Sequence, residues 1–178
     1  MDSASGIGLL GPEDMHHYMD HLQRLDAKTR RRRFGHTIDN AAIQAHCLKL
    51  VGEGAQVVAL SIDGLVRGAA EISPPNEADD GAREIAFSVE ADFQGCGIGT
   101  CLALKAVSIA RPSPVTMICS ADNNGMIALG WRIGARFHKS GDHLECRIDT
   151  ERRAHSRDGF TDADGLQPAI FALARGYV

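Results

Sequence analysis

Gln94-Gly95-Cys96-Gly97-Ile98-Gly99-Thr100 places three alternating glycines between a strand-like run, 84–89, and a helix-like run, 101–107. Strand, glycine turn and helix together aim backbone N–H groups and a positive helix end at phosphates. The stretch therefore predicts a phosphorylated ligand, and its spacing narrows the choice. A P-loop requires Lys followed by Ser or Thr after its last glycine, and no such pair follows Gly99. A dinucleotide fingerprint requires Gly or Ala three residues after the second glycine, where this chain has Thr100. What remains is Gln-x-x-Gly-x-Gly, with an extra glycine in its second position.

The bulk of the sequence sets the frame for that turn. The 178 residues suit one domain with a substantial core. Hydrophobic residues make up 44% and charged residues 24%, ordinary values for a globular protein. A net charge of −4 argues against general nucleic-acid binding, which requires a basic footprint. No signal-peptide pattern opens the chain, and no apolar run approaches membrane-spanning length, so the expected location is cytoplasmic, with no membrane partner. Five cysteines without CxxC spacing are read as reduced thiols, not as a disulfide frame or a zinc site.

The elements that must position the turn follow from periodicity and punctuation. Residues 7–10 form a short first strand. Met15, Tyr18, Met19, Leu22 and Leu25 recur at helical spacing, and Asp39 caps a second helix. Two strands flank Asp63-Gly64, a strong hairpin turn. Residues 82–89 form the strand before the glycine turn. The following helix stops near Arg111-Pro112, and a strand over 115–120 comes next. A helix from Asn124 ends at Gly134, and a hairpin turns around 140–142. Strands joined through a helix imply parallel pairing by a right-handed crossover, which puts the glycine turn at the carboxyl end of its strand. The expectation is a mixed α/β domain over 1–150, a mostly antiparallel twisted sheet with one parallel pair and flanking helices. Residues 151–178 are expected to form an extension, partly loop, with a short helix near 166–173.

The string from Val89 to Gly99 resembles the acetyl-CoA-binding signature of the GNAT-type N-acetyltransferases. It departs from that pattern at Cys96, where Arg or Lys is more usual; the departure weakens one phosphate contact and leaves the backbone donors intact. A second segment, Asn123-x-x-Met126-x-x-Leu129-x-x-x-Ile133-Gly134-Ala135-x-Phe137, is similar to the family's later coenzyme segment. A looser third match, Leu22 to Phe34, resembles stand-alone bacterial members of undefined substrate. The resemblance implies the GNAT fold, acetyl-CoA as co-substrate and an amine-bearing acceptor, small molecule or protein. It implies pyrophosphate on the amides of Gly95, Cys96, Gly97, Ile98, Gly99 and Thr100, next to Gln94. It places pantetheine along Phe87, Ser88 and Val89, with Asn123 and Met126 on its other side. Homodimers are common in the family and enter as a candidate assembly.

Acetyl transfer needs a neutral amine, and a lysine-like amine has a pKa of about 10.4, so a base must take its proton. Glu84, on the strand that leads to the turn, resembles the base of histone-acetylating members. Glu71 on the neighbouring strand is the runner-up, and Glu90 shares the two-residue strand period with Glu84. Many members place a tyrosine after the helix leucine as general acid; here that position is Gly130. A non-catalytic acetyl-CoA-binding module in a sensing or regulatory role is therefore the alternative. Cys119 is read as a buried structural thiol. Arg30-Arg31-Arg32-Arg33 is read as a solvated helix end with Phe34 inward, and Glu77 to Asp80 as a solvated loop. His17 and His21 have a metal-pair spacing but no third ligand nearby, so no metal is expected.

Overall fold

A computed structural model of the chain describes residues 5–150. The expected C-terminal extension and its helix lie outside the described residues. Seven strands form one sheet in the order β1-β2-β3-β4-β5-β7-β6. They are β1 (Gly6–Leu9), β2 (Gln56–Ile62), β3 (Leu65–Ile72), β4 (Arg83–Val89), β5 (Val115–Ser120), β6 (Arg136–Ser140) and β7 (His143–Ile148). All neighbours are antiparallel except β4 and β5. The mixed sheet with its single parallel pair is the expected architecture.

Local chemistry accounts for the joints. Asp63 and Gly64 both take positive φ, 52° and 75°, as a two-residue turn matched to strand twist demands. α1 (Met15–Arg24) buries Tyr18, His21 and Leu22 along one stripe. α3 (Asn40–Glu53) starts at Asp39, whose side chain accepts from the Ala42 N–H, and stops at left-handed Gly54. Between them lies α2 (Ala27–Phe34), a separate helix, so Arg30–Arg33 belong to an element of their own and not to the end of the first helix. Asp26 caps it by accepting from the Thr29 N–H, and Gly35 stops it at φ 76°. Its arginine-rich sequence has no apolar period, so its caps are the only local signal for it.

The two faces of the sheet carry separate cores. Tyr18, Leu22, Ile43 and Leu50 pack on Val57, Ala59, Val66 and Ala69 on the α1–α3 face. On the other face α4 (Ile98–Ala110) buries Leu102, Ala103 and Ala106 against Val58, Leu60, Ala70, Ile72 and Ile85. Each fully buried Leu or Ile there contributes about 1.5–3 kcal/mol. Gly68 lets α4 approach: a Cβ at that position would stand 2.9 Å from the Ile98 side chain and 3.3 Å from the Ser88 carbonyl. α5 (Asn124–Arg132) completes this layer through Leu129. Among the described residues no helix is long and apolar enough to cross a membrane.

Candidate active site

β4 and β5 pair only at Arg83↔Val115 and Glu84↔Thr116, and beyond those two rungs the register ends. The strands diverge toward their carboxyl ends and open a cavity of about 400 Å³. One wall is the edge of β4 from Ile85 to Val89, and the other is Ile118 with the start of α5. The glycine turn closes one end. Gly95 and Gly97 both hold positive φ, 77° and 83°, a conformation a side chain disfavours. Gly97 is the N-cap of α4, and no side chain caps that helix. Its Gly99 N–H, in the first turn on the cavity wall, faces a ready anion site at the helix start, while the Thr100 N–H donates to the Gly97 carbonyl at 3.0 Å.

The sequence-predicted residues fall into three groups. Phe87, Ser88, Val89, Gln94, Gly95, Gly97, Gly99, Thr100, Asn123 and Met126 all line the cavity. Cys96 and Ile98 do not: Ile98 is 6% exposed in the α4 core, and the Cys96 thiol turns back to the Gln94 carbonyl at 3.6 Å. Glu84 is exposed on the last paired rung, outside the cavity lining but beside Ile85 and Ala86, which belong to it. Gln94 acts as a brace, its amide donating to the Val89 carbonyl at 2.9 Å and to Thr29 Oγ1 at 3.3 Å. Asn123 caps α5, accepting from the Met126 N–H at 3.3 Å, which leaves its amide N–H₂ as a donor.

Charged groups on the α1–α3 side are locked together. A single oxygen of Glu71 accepts from Arg33 at 2.6 Å and Tyr18 at 3.1 Å, with His46 Nε2 at 2.8 Å. Burial alone would raise the Glu71 pKa; the hydrogen bond to His46 and the Arg33 charge outweigh it and hold it below the ordinary carboxylate value. Burial also raises Tyr18, which stays a phenol and donates. Glu90 accepts from Arg67 at 2.8 Å and Arg24 at 3.0 Å, and these donors likewise overcome burial and lower its pKa. Both carboxylates are thereby weakened as proton acceptors.

Three features were not legible from the sequence. α2 is a cavity wall: Thr29, Arg32 and Arg33 share one face at helical spacing and line the site. Arg33 turns inward to Glu71, and Arg30 donates to the Gln23 carbonyl at 2.6 Å, so this run is not simply a solvated helix end. The Asp26 cap and the Gly35 stop were the available signal. Second, a Cβ at Gly130 would stand 2.6 Å from Phe137 Cζ, so the phenylalanine ring occupies the space into which a side chain there would grow. Third, His21 is fully buried, with Nε2 2.9 Å from Ser88 Oγ. Cys119 and Cys146 are buried neighbours; burial raises both thiols, Cys146 to about 12. Neither is poised as a thiolate nucleophile.

Residues 19–132 match the sequence model of the acetyltransferase (GNAT) family. A search of curated proteins found no significant match. Among solved structures, the GNAT domain of S. lividans PAT aligns with a TM-score of 0.67 at 14% identity, covering 80% of this chain and 88% of that one. The protein yncA of Salmonella typhimurium, solved with acetyl-CoA, aligns at 0.61 and 19% identity over 90% of this chain and 99% of that one. A phosphinothricin acetyltransferase from Sinorhizobium meliloti, also solved with acetyl-CoA, aligns at 0.62 and 16% identity, covering 81% and 87%. At these identities the structures establish a shared fold.

Proposed function

Because the chain belongs to the GNAT acetyltransferase family, we propose that it transfers an acetyl group from acetyl-CoA to a primary amine. The amine attacks the thioester directly while both substrates are bound. The observation that carries this reading is the divergence of β4 and β5 over an uncapped helix start. It offers a groove with phosphate donors at one end and a strand edge along its length. In this reading the amides from Gly95 to Thr100, those of Cys96 and Ile98 included, hold the pyrophosphate. Pantetheine lies along Phe87, Ser88 and Val89, within reach of the Asn123 amide and packed against Met126. A β4 N–H polarises the thioester carbonyl, and most of the catalysis is positioning.

Glu84, Ala86 and Ser88 alternate onto the α1–α3 face of β4, opposite Ile85 in the α4 core. Glu84 is the proposed base, drawing the amine proton through water. Its carboxylate is exposed, which sets it apart from the saturated Glu71 and Glu90. The second reading, a coenzyme-binding module without turnover, is favoured by one observation: Phe137 stands where a side chain at Gly130 would project.

The test is calorimetric titration with acetyl-CoA, followed by thiol release across a panel of amines. Binding with amine-dependent release supports the enzyme, and Glu84→Gln is expected to shift or flatten its pH–rate profile. An unchanged profile removes Glu84 from the mechanism. Binding without transfer to any amine selects the module.

A further inference from the structure

A buried serine among the residues that line the cavity has a base against its hydroxyl. Ser88 lies on β4 among the cavity residues, and its Oγ is 2.9 Å from His21 Nε2. On the far side of the ring, His21 Nδ1 faces Glu90 Oε1 at 3.4 Å. A carboxylate only accepts, so the ring proton belongs on Nδ1, and Nε2 keeps its lone pair for the serine hydroxyl. Burial lowers the His21 pKa, against the raising effect of Glu90, which favours the neutral ring. Glu90 is itself fixed by Arg24 and Arg67. The remaining groups on the ring are Tyr18, stacked at 6.4 Å, and the Val66 backbone. Serine, histidine and carboxylate are thus held in the order and tautomer that activates a serine for acyl transfer.

We propose that Ser88 is a nucleophile that gives this chain a second activity, hydrolysis of acetyl-CoA when no amine is bound. Ser88 Oγ attacks the thioester carbonyl, and its proton passes to His21 Nε2. The C–O bond forms, the C–S bond breaks, and the CoA thiolate leaves and takes the proton back from His21. Water then attacks the acetyl ester, giving its proton to His21, which returns it to Ser88 Oγ as the acetyl group departs. The acetyl group leaves as acetic acid and ionises, so the sum is acetyl-CoA plus water to acetate, a proton and CoA, with no other reactant.

This inference rests on the acetyl-CoA reading of the site, and the experiment separates the two. The full chain is titrated with acetyl-CoA by calorimetry, then incubated with it without any amine. CoA thiol release is followed, and acid-quenched samples are mapped by peptide mass spectrometry. The expected result is binding, steady thiol release, and the mass of one acetyl group on the peptide that contains Ser88. At acetyl-CoA concentrations that saturate each protein, Ser88→Ala should lose the label and about a hundredfold of the release, the scale of a lost positioned catalytic group. Should Ser88→Ala not fold, Ser88→Cys takes its place and must carry the acetyl group as a thioester. Binding with no acetyl on Ser88, or release undiminished in Ser88→Ala, overturns the nucleophile and leaves the acetyl-CoA site standing. Failure to bind acetyl-CoA overturns both.

Discussion

A Cβ on Gly130 would stand 2.6 Å from Cζ of Phe137 and 3.2 Å from Cε1. The glycine is buried in α5, and the ring on β6 fills the space beside it, 4.9 Å from the Trp131 ring. Gly130→Ala is therefore expected to destabilise the domain by about 1–3 kcal/mol, the usual cost of overpacking. Urea unfolding measures it. Combining it with Phe137→Leu should return part of the loss, because the two residues share one space.

Arg33 and Glu71 form a desolvated pair, with their side chains 7% and 14% exposed. Removing the arginine strands a buried carboxylate, so Arg33→Ala should cost about 3–5 kcal/mol. Adding Glu71→Gln to that variant should recover stability, since the stranded charge is gone. Additive losses in the double variant would refute the coupling.

Gly97 holds φ 83° with open space where a Cβ would project. Gly97→Ala thus tests backbone strain alone, at about 1–2 kcal/mol for a left-handed residue. Its effect on acetyl-CoA affinity, read by calorimetry, is expected to exceed its effect on the melting temperature. Equal affinity in parent and variant would place the phosphates elsewhere.

Stability should also report on His21. Its folded pKa is lowered by burial, so the folded chain binds fewer protons than the unfolded one. The neutral ring's contribution is complete above the unfolded value of about 6.5 and is lost as pH falls through that value toward the lowered one. Melting temperatures of the parent should fall from pH 7 to pH 5, and those of His21→Gln should fall less. The depressed carboxylates Glu71 and Glu90 act in a separate, lower window, below the ordinary carboxylate value. Parallel curves for parent and variant would show that His21 does not titrate in this range.

What the sequence revealed was local. The Asp63-Gly64 hairpin, the caps at Asp39 and Asn123 and the glycine turn each announce themselves within a few residues, because turn and cap chemistry is local. α2 stayed hidden because a helix of charges has no apolar rhythm, although its aspartate cap and glycine stop were present. The Ser88–His21 contact spans 67 residues and the His21–Glu90 contact 69, distances over which spacing carries no information. Likewise, nothing in the string from Gly130 to Phe137 says that a β6 ring folds back onto the α5 glycine. The sequence thus encodes the β4 side of the site and its turn locally, while the α1–α3 side is assembled only by the fold.

Two rungs between β4 and β5 are a slender seam for a seven-strand sheet. The sheet behaves as two leaves, and the spine that joins them is the apolar layer in which Ile85 and Met117 share neighbours with Leu102 and Ala106. The width of the groove is then set by side-chain volume under the sheet and not by its ladder. A methyl group added or removed in that spine, even at Leu102 or Ala106 outside the cavity lining, would open or narrow the gap between the leaves.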